Sequence, residues 1–221
     1  MTRVVLASAS PARRALLRAA GIEPEVVVSG VDEDALEDEL ALQGRTSPAE
    51  LCEALAVAKG WAVGEKLAGG DRDAVVVACD SVLDLDGVPL GKPDDAADAV
   101  RRWRSMRGRT GILRTGHFVT RLDRWGAPPE AGPRSVSAVA STLVVFAELD
   151  DATIEAYVAT GEPLHVAGAF TLDGLGGPFV DRIDGDPSNV VGLSLPLLRR
   201  LLQDLDLRWT DLWHGGPRGA Q

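Results

Sequence analysis

The chain has 221 residues, with 33 acidic side chains against 23 basic ones and a formal net charge of −10. Acidity on this scale repels polyphosphate backbones and excludes a nucleic-acid clamp with a broad basic footprint. A composition of 45% hydrophobic and 25% charged residues excludes a disordered polyampholyte, and no apolar run approaches transmembrane length.

Residues 3 to 7 read as a short buried strand, and Ser8-Ala9-Ser10-Pro11 then signals a helix start running to Ala20 and closing at Gly21. Residues 24 to 29 read as a second strand, followed by the densest acidic run of the chain, residues 31 to 39. Ser47-Pro48-Ala49-Glu50 is a capping box that opens a helix through Lys59, with Leu51, Leu55 and Ala58 at helical spacing. The continuous apolar run Ala74 to Cys79 predicts a central strand covered on both faces, ending at Asp80-Ser81. Asp86-Gly87 predicts a hairpin turn between residues 82–83 and 88–90. A helix over 94–106 follows, then two long strands at 112–122 and 136–149 joined by a Pro- and Gly-rich connector, Trp125 to Pro133, expected to be mobile. Asp150 or Asp151 caps a helix to Ala159, residues 168–192 read as strand and glycine-rich loop, and Pro196 starts a closing amphipathic helix to Leu205. The pattern predicts an α/β fold with a mixed central sheet flanked by helices. Residues 1–208 are expected to form one domain and 209–221 a partly disordered tail. The N-terminus lacks a leader pattern, so a cytoplasmic location with no membrane partner is expected. Cys52 and Cys79 sit among apolar neighbours and read as buried free thiols.

Four stretches carry candidate chemistry. Ser8, Ser10, Arg13 and Arg14 stand between a strand and a helix, where free amides, hydroxyls and guanidinium forks make an anion site; the alternative is that Ser10 is only a cap and the arginines are solvated. Asp80, followed by Ser81, ends a buried strand, where a carboxylate is costly unless it is paired, binds metal or does chemistry. Gly87 to Pro93 resembles a phosphate loop only superficially, because its glycine spacing is one short and Pro93 replaces the magnesium-binding hydroxyl; Lys92 is left as a point charge on a rigid turn, or as an ordinary surface lysine. Glu33 lies in the acidic run, most of which reads as a solvated face. His117, His165 and His214 show no metal-ligand spacing, and no serine-hydrolase elbow is present.

Taken together and in order, these segments resemble the Maf family of septum-formation-inhibitor-like nucleoside triphosphate pyrophosphatases, in its actinobacterial form. The matching stretches are Leu6-Ala7-Ser8-x-Ser10-Pro11-x-Arg13, Val31-Asp32-Glu33, Leu55-Ala56-x-x-Lys59, Asp80-Ser81-Val82, Leu90-Gly91-Lys92-Pro93, and Ala167-Gly168-Ala169-Phe170 through Asn189 to Leu193. The resemblance implies a two-lobed fold with a cleft, like that of inosine triphosphate pyrophosphatases. It implies a homodimer that cleaves nucleoside triphosphates to the monophosphate and pyrophosphate with a divalent cation, Mg or Mn. By position, it makes Asp80 the proton acceptor, and Glu33 with Asp80 the metal-holding carboxylates. Lys59 and Lys92 become the catalytic lysines, and Ser8, Ser10, Arg13 and Arg14 the triphosphate contacts. Ala12, Ser81 and Asp173 fall where subfamilies differ in substrate choice, which speaks against a simple dTTP or UTP enzyme and leaves purines and modified nucleotides open. Clearance of modified nucleotides and a link to septum arrest are further implied roles. A nucleotide-binding regulator with little turnover and a phosphohydrolase releasing orthophosphate are the competing readings.

Overall fold

The apolar run that begins at Ala74 builds the longest strand of the molecule. In the computed structural model, which describes residues 2–70, 73–124 and 134–214, β3 extends over Ala74–Leu85 and is buried along almost its whole length. It is flanked by β1 (Arg3–Leu6) in parallel and β5 (Thr110–Arg121) in antiparallel register. β2 (Glu25–Val26) extends the parallel side, while β6 (Ser135–Phe146) and β7 (Val180–Asp184) extend the antiparallel side, giving the order β2-β1-β3-β5-β6-β7. β4 (Val88–Leu90) folds back on β3 through a tight turn whose central residues, Asp86 and Gly87, both have positive φ, 55° and 85°. That is the hairpin geometry an Asp-Gly pair adopts without strain. The expected α/β class with a mixed sheet is what the chain forms.

Side chains alternate across β3, so its two faces bury different partners. Val75, Val77 and Cys79 face α1 (Pro11–Ala19) and α7 (Leu195–Asp204) in one apolar cluster with Leu17, Leu198 and Leu202. Val76 and Ala78 face α3 (Pro48–Leu67) with Ala56, Val63 and Phe118. Gly60 and Gly116 leave room for α3 to pack against β5. A Cβ on Gly60 would sit 2.0 Å from the Phe118 ring, and one on Gly116 would sit 2.2 Å from the Cys52 carbonyl oxygen. Around the far end of β3, Trp103 of α4 (Ala96–Met106) packs edge-on to Phe146, Tyr157 and Phe179, beneath α5 (Asp151–Ala159).

Several expectations are corrected. Only Glu25–Val26 of the 24–29 stretch pairs as strand. The acidic run presents the solvated face expected of it, on a helix: Asp32 accepts from the Ala35 amide and opens α2 (Glu33–Leu42), whose carboxylates line an exposed face while Leu40 is buried. The 168–192 region holds β7 and a short helix, α6 (Pro187–Val191), besides loop. Part of the stretch read as a tail is ordered. Trp209–Leu212 forms a 3-10 turn with Leu212 in the core, and Trp213 donates to the Ala20 carbonyl. The connector Trp125–Pro133 and residues 215–221 lie outside the described residues. Cys52 and Cys79 are buried and free, as expected. Among the described residues no helix is long and apolar enough to cross a membrane.

His117 sets an acid limit on the fold. It is fully buried on β5, its Nε2 accepts from the Ser194 amide (2.8 Å), and its Nδ1 therefore donates to the Thr115 carbonyl (2.9 Å). Burial, the largest cause, pushes its pKa down from 6.5 to about 4. The neutral ring is the folded form, so its contribution is complete above pH 6.5 and is lost as pH falls towards 4. Stability should decline by up to about 1.4 kcal/mol per pH unit below 6.5 from this group alone. Urea midpoints measured between pH 7 and 5 should show that slope, and His117→Gln should flatten it.

Candidate active site

β5 accompanies one edge of β3 from Val75 to Asp84. The opposite edge is divided: β1 covers Ala74 to Val77, β4 covers Leu83 to Leu85, and no strand among the described residues pairs with Ala78 to Val82. The sheet thus carries a slot whose two ends are strand ends. β1 arrives from one side and delivers Ser8 and Ser10. β4 arrives from the other, and the register that pairs Leu90 with Leu83 directs Gly91 and Lys92 towards the slot. Asp80 lies inside β3 rather than at its end, as the sequence had implied. The rule that ligands gather beyond the carboxyl ends of strands applies here to β1, which stops level with Val77.

Lys59 sits on the buried stripe of α3, with Leu55 and Ala56 one turn before it and Val63 one turn after, and is 8% exposed. An ammonium there needs a carboxylate, and Asp80, 9% exposed, supplies it at 2.6 Å. Glu33, the first residue of α2, reaches the same Nζ at 2.9 Å. Burial, the largest influence on Asp80, pushes its carboxyl above the ordinary range, while Lys59 and Arg13 pull it back and Glu33 adds to the rise. Glu37, the next acidic residue on that face of α2, is likewise raised, first by burial and then by Asp80, Asp34 and Glu33. Two carboxylates therefore converge on one cation. Among the described residues no group of three or more His, Cys, Asp or Glu could hold a metal. A two-carboxylate set matches an ion such as magnesium, which takes one or two protein carboxylates and completes its shell with phosphate oxygens and water.

Beside this triad stands a second constellation, centred on Arg13. Its Nε donates to the Gly192 carbonyl (2.7 Å), one terminal nitrogen donates to Ser8 Oγ (3.0 Å) and the Cys79 carbonyl (2.7 Å), and the other donates to Ser81 Oγ (3.0 Å). Four of its five N–H groups are engaged inside the protein. Arg13 thus ties the start of α1 to the open edge of β3 and to the turn after α6, rather than standing free for a phosphate. Gly192 permits this approach: its φ is 118°, and a Cβ there would lie 3.2 Å from Arg13 Nε. Ser8 Oγ also accepts from the Ser10 amide (3.2 Å), so both its acceptor positions are filled and its O–H remains a donor. Ser10 caps α1 by accepting from the Arg13 amide (3.3 Å). Ser81 continues inward to Thr115 Oγ1 (2.9 Å), which bonds the Asn189 carbonyl (3.4 Å).

The remaining expected residues are distributed differently. Arg14 turns to Glu23, 3.5 Å away. Lys92 is exposed and makes no hydrogen bond or ion pair among the described residues. Asp173 is exposed on a loop organised by Glu162. Sequence reasoning missed Glu162 and Thr115, gave Asn189 no role beyond its place in a matching stretch, and found no metal spacing for His117. Their partners lie on other strands and loops, and a metal-spacing search does not detect a histidine that orders a loop.

The family model described as Maf-like protein matches residues 3–205. A nucleoside triphosphate pyrophosphatase of Streptomyces coelicolor is 58% identical over 96% of this chain and 94% of its own length. Proteins of the same name from Salinispora tropica and Rhodococcus opacus are 56% and 53% identical, covering 97% and 99% of this chain and 88% and 100% of their own lengths. A solved nucleoside-triphosphatase, a dITP/XTP pyrophosphatase of Mycobacterium abscessus, aligns over 66% of this chain and 75% of its own at 15% identity and TM-score 0.37, too slight a likeness to build on. Matched by the family model over residues 3–205, the chain belongs to the Maf-like family.

Proposed function

We propose that this protein hydrolyses nucleoside triphosphates to the monophosphate and pyrophosphate in the β3 slot. The observation that carries the reading is the convergence of Asp80 and Glu33 on Lys59 at an unpaired stretch of sheet edge, between two strand ends that bring hydroxyls and a free lysine. Relatives that share more than half its residues over nearly full length bear the name of that activity.

In this reading Asp80 takes the proton of the attacking water, and its raised affinity for protons suits that task better than an ordinary carboxylate would. Attack at the α-phosphorus makes the bond to water oxygen and breaks the bond to the leaving pyrophosphate. Lys92, free and exposed at the end of β4, meets the charge that grows on that leaving group. Lys59 keeps Asp80 ionised despite its burial and holds it beside Glu33. Ser8 donates its remaining O–H to a phosphate oxygen, and Arg13 fixes Ser8 and Ser81 with one N–H left over. Glu33 and Asp80 would hold a divalent cation, Mg or Mn, which when bound neutralises phosphate charge and acidifies water.

Asp80→Asn keeps the shape but cannot accept the proton, so pyrophosphate release should fall about 100- to 10,000-fold. Unchanged turnover would remove Asp80 from this role, and orthophosphate as sole product would remove α-phosphorus attack. Lys92→Arg should lose most activity, because a planar fork replaces a compact charge. Its unfolding midpoint should stay near the parent's, as expected for an exposed position. Lys59→Met should behave oppositely in urea unfolding, losing about 3–5 kcal/mol by stranding a buried carboxylate. Chelation of divalent cations should stop turnover and leave the fold intact.

A further inference from the structure

Three consecutive buried residues of β5 serve both layers of the molecule. Gly116 faces α3, its bare backbone lying against the Cys52 carbonyl. Thr115 and His117, both fully buried, face the other way, towards the turn between α6 and α7. His117 Nε2 accepts from the Ser194 amide (2.8 Å). Ser188 takes the Leu193 amide on its carbonyl (3.2 Å) and the Leu195 amide on its hydroxyl (3.0 Å). The peptide between Gly192 and Leu193 is thereby fixed at its N–H, and its carbonyl is held to Arg13 Nε. Asn189 anchors the start of the same turn, its side-chain amide donating to the Leu113 carbonyl (3.1 Å) and to Thr142 Oγ1 (3.2 Å).

A chain of hydrogen bonds joins Arg13 to that anchor. Arg13 bonds Ser81 Oγ (3.0 Å), Ser81 bonds Thr115 Oγ1 directly opposite it on β5 (2.9 Å), and Thr115 bonds the Asn189 carbonyl (3.4 Å). The two ends settle its direction, because a guanidinium only donates and a carbonyl only accepts. Arg13 therefore donates to Ser81, Ser81 to Thr115, and Thr115 to Asn189. Both hydroxyl protons are committed, so Ser81 has none to offer a phosphate. What Ser81 supplies is an oriented acceptor for Arg13, and Thr115 is the acceptor that orients Ser81. Ser8, on the other terminal nitrogen of the same guanidinium, is the hydroxyl whose proton stays free, since it accepts from Arg13 (3.0 Å) and from the Ser10 amide (3.2 Å). Asp80 has its own hold from the α3 side, through Lys59.

Resting on the pyrophosphatase reading, we infer that Thr115 is a positioning residue for triphosphate binding: through Ser81 and Arg13 it sets the direction of the Ser8 hydroxyl. The test is pyrophosphate release by the full chain with magnesium, using whichever of ATP, GTP, CTP, UTP and dTTP the parent cleaves fastest. Thr115→Val keeps the shape and removes both bonds. Its KM should rise about tenfold while kcat stays within about threefold, because the lost contact is shared by ground and transition states. Thr115→Ser keeps the hydroxyl and should return KM to within about twofold of the parent. A residue that only packs would reverse that order, leaving the valine variant near normal and the serine variant impaired. Joined to Ser8→Ala, Thr115→Val should raise KM no more than about twofold beyond Ser8→Ala alone. Should Thr115→Val fail to fold, Ser81→Ala breaks the chain one link earlier, and joined to Ser8→Ala it should likewise add nothing. Effects that multiply in either pair, an unchanged KM in Thr115→Val, or a fall in kcat alone would overturn the inference and leave the pyrophosphatase reading standing. No pyrophosphate from any nucleotide with the parent would overturn that reading and the inference with it.

Discussion

The buried pair between Lys59 and Asp80 is the constraint to which the rest of the architecture answers. Neither group tolerates its position alone: each lies in an apolar layer, and leaving one unpaired costs about 3–5 kcal/mol. Lys59 reaches Asp80 at 2.6 Å from α3, so the helix must lie flat against this face of the sheet. The bare backbones of Gly60 and Gly116 permit it. Glu33 then completes the set from α2, a helix with only Leu40 fully buried, so the ion pair also helps hold that acidic arm in place.

Chain topology supplies the other half of the site. A central strand normally has both edges filled, and its polar groups are then committed to the ladder. β3 exceeds its neighbours on one side: β1 stops after Leu6 and β4 begins opposite Leu85 and ends opposite Leu83. Arg13 occupies part of the opening, satisfying the Cys79 carbonyl that a neighbouring strand would have taken. A guanidinium suits this task because it bonds to several fixed acceptors in one plane, whereas an ammonium could not serve the same four oxygens. This explains why Arg13 appears in a phosphate-binding motif yet spends most of its donors on the protein.

Features written in short stretches were legible in the sequence. The Ser10 and Ser47 caps, the Asp86-Gly87 turn and the buried start of β3 depend on neighbours within a few residues, and each forms as read. Asp80 looked like a strand end because a charge interrupts an apolar run. Only the lysine 21 positions earlier explains how the strand continues through it. The acidic run gave no helical face strong enough to read, since five carboxylates in α2 leave Leu36 and Leu40 as its main apolar anchors. Glu162 was invisible for a different reason: its donors lie up to 14 residues downstream and include backbone amides, which carry no residue signature.

The global acidity takes on a local meaning once α2 is in place. Glu33, Asp34, Glu37, Asp38 and Glu39 share one helix beside the slot, and Glu37 already holds its proton more tightly because burial and the nearby Asp80, Asp34 and Glu33 disfavour another charge. A bare triphosphate approaching that field meets repulsion, and only Lys92 among the three lysines stands free to attract it. A triphosphate whose charge is largely neutralised by a cation meets far less, and the carboxylates then become attractive rather than repulsive to what approaches. On the proposed reading, the acidic arm therefore discriminates among charge states of the same nucleotide. It favours the form that arrives with its counter-ion over the form that does not.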